Sequence, residues 1–447
     1  MLETDQGRLL IDCGMFQGRR AESRQRNRAL PEQALSATAA ILTHSHIDHS
    51  GSLPTLVKAG FDGPIYATPA TIDLCSYMLH DSARIQAADS EYLNRKHADD
   101  PDWVPLMPVY DEQDVTQALQ RFAPQAYHRV FHPIAGVRAT LLNSGHILGS
   151  AQVVLDVAEH GTHRRLVISG DLGRQGLPII RDPEPPPTPI DYLVMESTYG
   201  NRVHGSLLEM QGDLERIVNE TVARGGKVVV PAFAVGRTQE LLYVLHELVK
   251  AKRIPALPIF IDSPLAIDVT EVFRRHAECF DQETRDFLAL NGDVFSFEGV
   301  QFMRTKEESM QINHHEGPAI IVSASGMAEA GRVLHHLRNH VSNEKSTILI
   351  IGFMAQNTLG RRLVERHTRV KVWGIERDLL ARVEVLNSFS AHADRDDLLA
   401  YARRAGPLRQ LFLVHGEPDQ QEPLQAALEE LAIPTRIPRR AETIELA

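Results

Sequence analysis

The sequence predicts an α/β protein of two domains, one inserted into the other. Three observations carry this expectation. Residues 1–200 alternate short apolar runs with polar, Gly-containing loops. Residues 201–384 then alternate strand-like and helix-like segments in βαβα order, the signature of a mostly parallel sheet covered by helices. Residues 385–447 return to strand-ends resembling those of the first block. A chain of 447 residues also exceeds what one small core accommodates.

In the first block RLLIDCG, ATAAILTH, GPIYATP, VRATLLNSGH, AQVVLDV, RRLVISGD and DYLVMEST read as strands. Helical periodicity marks SGSLPTLVKAG and ATIDLCSYMLHDSARIQAADSEYLNRK. PEPPPTP, residues 183–189, reads as a stiff surface connection. In the second block the helix LLEMQGDLERIVNETVARG leads to strand KVVVPAF, helix GRTQELLYVLHELVKA and strand LPIFIDS. PAIIVSAS, the helix MAEAGRVLHHLRNHV, strand STILIIGF and helix TLGRRLVER follow. VEVLNSFSAH and LRQLFLVHGE close the chain as strand-ends of the first domain.

The most informative run is HSHIDHSG, residues 44–51, which places His44, His46, Asp48 and His49 directly after the apolar AAIL. Imidazole and carboxylate hold borderline divalent metals such as zinc. The spacing fits a loop at a strand end, where side chains diverge, better than one face of a helix. Other apolar runs end in the same residue types: His146, Asp171, Glu196, His392 and His415. Groups at strand carboxyl ends gather at one sheet edge, where clefts form. Asp12 ends LLID and is placed to orient a ligand imidazole from behind. Seven His and Asp side chains exceed the four that one zinc takes, so two adjacent cations are expected, with Asp171 able to bridge.

Composition narrows the function class. The apolar and charged fractions, 43% and 23%, are those of a globular protein, and no membrane-length apolar run or signal pattern is present. Three scattered cysteines form no CxxC pair, which favours a reducing cytoplasm over a disulfide framework. The net charge of −11 argues against nucleic acid as a partner, unless a local basic groove overrides it.

At these motifs the chain resembles the metallo-β-lactamase superfamily, and within it the β-CASP nucleases. HSHIDHSG, SGH and SGDLG match the superfamily's ligand motifs, and MESTYGN, NSFSAHAD and FLVHGE match the β-CASP motifs A, B and C. A His at motif C is similar to the RNA-processing branch, to prokaryotic relatives of the nuclease subunit that cleaves pre-mRNA before polyadenylation. The resemblance implies an αββα sandwich interrupted by an inserted α/β domain. It implies two Zn²⁺ per chain: one on His44, His46 and His146, one on Asp48, His49 and His415, bridged by Asp171. His392, charged and oriented by Glu196, would protonate the leaving 3′ oxygen, with Asp48 also counted in the catalytic group. The implied reaction is hydrolysis of single-stranded RNA by a water held between the metals, endonucleolytic, with the balance against 5′-to-3′ exonuclease action left open by the sequence. Alternatives are a DNA-directed nuclease, a thioester or lactam hydrolase on the same site, and a non-catalytic RNA-binding subunit. Family members begin with a further strand, so the sequence as it opens here implies either an upstream start or an exposed sheet edge. Monomer and homodimer both remain open, and no membrane partner is expected.

Phosphate contacts are expected from two basic segments, residues 18–28 and 359–371, the latter with Arg361 and Arg362. The small-residue turn SASGMAEAGR offers Ser323, Ser325, Gly326 and Arg332 before a helix, and PAFAVGRTQE offers Arg237. Tyr199 is expected to pack under the cleft rather than stack a base.

Overall fold

The computed structural model describes every residue except 17–22, 24–25, 353, 387–388 and 447. The chain forms two compact units. The first contains Met1–Gln175, Asp182–Val203 and His392–Ala447, the second Gly176–Arg181 and His204–Ala391. Among the described residues no helix is long and apolar enough to cross a membrane.

The first unit has two sheets. Strands β1 (Leu2–Thr4), β2 (Gly7–Ile11), β3 (Ala39–Ile41), β4 (Ile65–Ala67) and β5 (Phe122–Pro124) lie side by side in that order. β1 and β2 are antiparallel and the remaining pairs parallel, with β1 at one edge. The second sheet holds β6 (Val130–Phe131), β7 (Val137–Asn143), β8 (Ala151–Glu159), β9 (Thr162–Ile168) and β10 (Tyr192–Glu196). Two strands numbered past the eight of the second unit, β19 (Gln410–Val414) and β20 (Thr435–Arg436), complete it in the order β20-β19-β10-β9-β8-β7-β6.

Period-two alternation assigns each side chain to a layer. Leu9, Ala39 and Ile41 point between the sheets, where they meet Leu141, Val153, Leu155, Leu166, Tyr192 and Phe412. Their chain neighbours Leu10 and Ala40 point outward, into a layer with Leu56, Cys75 and Leu79 from the helices Leu53–Lys58 and Pro69–Lys96. On the other side Leu142, Val154, Val167, Leu193, Leu411 and Leu413 pack on Leu398, Ala402, Leu424 and Leu428 of the helices Arg395–Ala405 and Pro418–Glu430. The result is the expected αββα sandwich. Each such Leu taken fully out of water contributes about 1.5–3 kcal/mol before entropy is charged against it.

The second unit is built on β11 (Lys227–Pro231), β12 (Ile259–Ile261), β13 (Val300–Phe302), β14 (Ala319–Ser323), β15 (Thr347–Ile351) and β18 (Arg382–Leu386). They run in the order β13-β12-β14-β11-β15-β18, every pair parallel. A separate antiparallel hairpin joins β16 (Arg369–Val372) to β17 (Ile375–Asp378).

Three sequence expectations need correction. VEVL does not rejoin the first domain: it is β18 and pairs with β15 of the second unit. The expected boundary after residue 384 therefore falls inside a strand, and the chain returns to the first unit at His392. The opening boundary, expected after residue 200, lies between Val203 and His204. The helix expected from Met327 starts only at Val333, because Ala328 and Gly331 take the left-handed conformation, with φ of 57° and 80°, which a helix cannot include.

Candidate metal centre

The carboxyl ends of five strands in the first unit supply the site. After β3 the chain presents His44 and His46 from a loop, then Asp48 and His49 from the single helical turn Ile47–Ser50. His146 follows β7, Asp171 follows β9, Glu196 ends β10 and His415 follows β19. His392 bridges in antiparallel fashion to Gly173, beside Asp171. Close backbone approach fixes the loop positions. A side chain at Gly14 would stand 1.5 Å from the carbonyl oxygen of Asp48, and one at Gly173 1.8 Å from that of Gly145. Asp12 and His415 hold left-handed backbone, with φ of 57° and 51°, a conformation costly for both and found where side-chain direction is imposed.

Two cages result. In the first, His44 Nε2 lies 3.1 Å from His46 Nδ1 and 3.4 Å from Asp171 Oδ2. His146 Nε2 lies 3.2 Å from the same His46 nitrogen and 3.5 Å from the same oxygen. A tetrahedron with metal–ligand bonds of about 2.0–2.1 Å has edges of roughly 3.3–3.4 Å, so this spacing fits zinc. In the second cage His49 Nε2 stands 3.2 Å from His415 Nε2 and 3.3 Å from Asp171 Oδ1. Asp48 Oδ2 is 3.5 Å from His415 Nε2. Asp171 thus turns one oxygen to each cage. Its Oδ1 is buried and accepts no hydrogen bond, a costly state that a shared cation removes.

Charge balance points the same way. The Asp171 carboxylate beside it, working against burial, lifts His415 to about 9, while burial pushes His46 down to about 4. Burial opposes ionisation of Asp171, yet His415, His49 and His44 hold it well below the usual carboxylate range. The cluster has more negative charge than it can bury alone, which protons or cations must answer.

Behind the cages stands a layer of orienting groups. Asp12 Oδ2 meets His49 Nδ1 at 2.8 Å, which aims the other nitrogen inward. The same carboxylate accepts from Thr43 N and Thr43 Oγ1, both at 2.8 Å, and Thr43 Oγ1 lies 3.1 Å from His44 Nδ1. Thr198 Oγ1 lies 3.1 Å from His415 Nδ1. Glu196, almost fully buried, holds His392 Nδ1 at 3.1 Å and accepts from the backbone N–H of Leu172 at 2.7 Å. Burial alone would lower the His392 pKa, but the Glu196 charge and bond, with Asp171, raise it. Tyr199 is buried, its ring 6.0 Å from that of His392, as a packing residue would be.

Sequence reading missed Thr43 and Thr198. A hydroxyl beside a ligand in ILTH is a faint signal, and Thr198 meets His415 only across 217 positions of chain.

The residues proposed to grip phosphate lie in the second unit. Arg332 is held by Asp262 Oδ1 at 2.8 Å and by the carbonyls of Met303 and Arg304. Arg237 is nearly buried against Glu240 at 2.6 Å, and Arg361 pairs with Glu365 at 2.7 Å. Ser323 is buried and donates to the Asp262 carbonyl. A side chain at Gly326 would strike the Phe233 ring at 2.5 Å, so packing explains this glycine. Ser325 accepts from Glu329 N at 3.4 Å, and Arg362 is exposed. Most of these groups already have partners within the unit. The basic segment 18–28 falls largely outside the described residues.

Ligand cages at the carboxyl edge of an αββα sandwich define a metal-dependent hydrolase of the metallo-β-lactamase kind. Residues 1–199 match the family model described as the metallo-beta-lactamase superfamily, 238–363 that of the Beta-Casp domain, and 377–438 that of the Zn-dependent metallo-hydrolase RNA specificity domain. The chain is 34% identical to ribonuclease TTHA0252 of Thermus thermophilus over 413 residues, covering 92% of this chain and 88% of that protein. It is 29% identical to the transcription termination factor FttA of Methanosarcina mazei, covering all of this chain and 69% of the relative. To FttA of Thermococcus kodakarensis it is 31% identical, over 91% of this chain and 62% of the relative. The chain belongs to the β-CASP nucleases of the metallo-β-lactamase superfamily.

Proposed function

We propose that this chain is a dizinc ribonuclease hydrolysing phosphodiester bonds of single-stranded RNA, as an endonuclease that also trims from the 5′ end. The observation that carries the reading is a pair of adjoining clusters, His44, His46, His146 and Asp171 in one and Asp48, His49 and His415 in the other, with the second Asp171 oxygen 3.3 Å from His49 Nε2. His44, His46 and His146 would hold one ion, Asp48, His49 and His415 the other. Two bound cations in such a site acidify a water and neutralise the phosphate under attack.

The chain's own groups supply the rest. His392, with Nδ1 fixed on Glu196, keeps Nε2 for the proton that the departing 3′ oxygen needs. Asp48, with 39% of its side chain exposed against 2% for Asp171, is the carboxylate that water and substrate reach, and we assign it acceptance of the water's proton. The products are then a 5′-phosphate and a 3′-hydroxyl. The names of the relatives support RNA over DNA, and three buried free cysteines suit a cytoplasmic setting.

The test loads the protein with zinc, counts the ions by elemental analysis, and adds end-labelled linear and circular RNA with and without chelator. Two ions per chain and chelator-sensitive cutting of the circle are expected. One ion, or an intact circle with full zinc, overturns the reading. Preference for matched single-stranded DNA would transfer the site to the DNA-directed alternative.

A further inference from the structure

A second RNA contact is legible in the hairpin β16–β17 of the second unit. Its two-residue turn is Trp373–Gly374, both left-handed, with φ of 51° and 75°. Such a turn favours Asn or Asp followed by Gly, and an indole there is strained. Turn chemistry therefore does not account for Trp373. Nor does the core: Val370 and Val372 of the same strand are buried in it, whereas Trp373 remains 46% exposed.

One neighbour braces the indole. The His335 ring meets it edge-on, with centroids 4.2 Å apart and planes at 77°. Around this pair the charge is mainly positive. Arg338 and Lys306 act electrostatically on His335, opposed by the buried Asp262, which His336, Ser309 and Arg332 already engage; Arg338 and Lys306 are exposed, as is Lys371 two residues before the turn. The carboxylate across from Lys371, Glu376, is engaged by Arg369 at 2.9 Å. A braced, half-exposed indole, with exposed cations on its own strand and acting on the imidazole that braces it, has the make-up of a single-strand binding surface, where bases stack on aromatic faces and basic side chains follow the phosphates.

We propose that Trp373 is a stacking platform for a nucleobase of single-stranded RNA, with Lys306, Arg338 and Lys371 contacting the adjoining phosphates. This rests on the ribonuclease reading and adds a contact to it, on residues that the metal centre does not use. A protein-docking face is the competing use, since Ile375 and Leu380 nearby are also exposed. The exposed cations Lys371, Arg338 and Lys306 on the elements that carry and brace the indole favour the nucleic acid.

The chain has two tryptophans, so Trp103→Phe leaves Trp373 as the single indole reporter. The zinc-loaded variant is titrated with a 12-nucleotide phosphorothioate RNA, checked by gel to remain intact. Quenching of Trp373 emission is expected, with the same midpoint as anisotropy of the labelled strand. Trp373→Ala in the otherwise native chain should weaken Kd about 5- to 160-fold, the range measured for single base stacks. Trp373→Phe should recover most of that, and saturated turnover should hold throughout. Lys306→Ala with Arg338→Ala, which spares the indole, should reduce the slope of log Kd against log salt by about 1.4. RNA binding with unmoved emission and unchanged Kd in Trp373→Ala overturns the platform while leaving the ribonuclease intact. A change in sedimentation with unchanged Kd also overturns it, and assigns the patch to self-association. If the native protein neither binds nor cuts RNA, the underlying ribonuclease reading has failed, a result seen before any variant is made.

Discussion

Asp171 in the first unit and Asp262 in the second make an instructive pair. Both are buried carboxylates just beyond the carboxyl end of a strand, and both face imidazole. Asp262 is closed by hydrogen. It accepts from His336 Nε2 at 2.6 Å, Ser309 Oγ at 2.7 Å and Arg332 Nη1 at 2.8 Å. Asp171 Oδ1 accepts no hydrogen bond; the nearest ring nitrogens are His49 Nε2 at 3.3 Å, which also faces His415 Nε2 at 3.2 Å, and His415 Nδ1 at 3.5 Å, which also faces Thr198 Oγ1 at 3.1 Å. The difference of about 0.7 Å in approach separates a carboxylate satisfied by protons from one spaced for a cation. Burial and residue type alone do not distinguish them.

The comparison can be broken from either side. The largest effect is expected for Asp171→Asn, which removes the charge common to both cages. Zinc should fall below two ions per chain and RNA cleavage by more than the ~10⁴-fold ceiling of acid–base effects; full zinc and measurable turnover would return Asp171 to the structural class. Next, His392→Ala should keep both ions and lose about 10²- to 10⁴-fold in kcat. Unchanged cleavage there would remove His392 from the chemistry. His415→Ala should reduce zinc content, and full occupancy would contradict its ligand role. Asp12→Ala should weaken zinc about 10- to 100-fold, read by competition with a chelator. Asp262→Asn should act on folding alone, costing about 3–5 kcal/mol for a broken buried pair, with zinc per folded chain unaltered. Bonds from His336, Ser309 and Arg332, outweighing its burial, hold the Asp262 pKa below its ordinary 3.8. Its stabilisation is therefore present above pH ~4 and lost as pH falls through the lowered value, so urea midpoints of native and Asp262→Asn proteins should converge in acid.

Much of this was readable in the sequence because it depends on local pattern. Period-two alternation in LLI, AAI and VRATLLN assigns each residue to a layer, and the ligand types recur at strand ends where an α/β sheet opens its cleft. What alternation cannot give is the address of a strand. VEVL pairs with STILI rather than rejoining the first sheet, and nothing inside either run specifies that partner. The convergence of the His and Asp side chains was easier to read than the surroundings of the arginines, for a physical reason. A buried His or Asp is rare enough to be informative, whereas an Arg after a small-residue turn serves equally to tie loops together. Arg332 and Arg237 do so here, through Asp262 and Glu240.

Strand β19 adds to the sheet beside β10, so the seven-stranded sheet stays incomplete until about 200 further residues have followed β10. At 5–20 residues per second that interval is about 10–40 s of translation. His415 comes one residue after β19, so a ribosome-bound chain holds an incomplete second cage throughout this time.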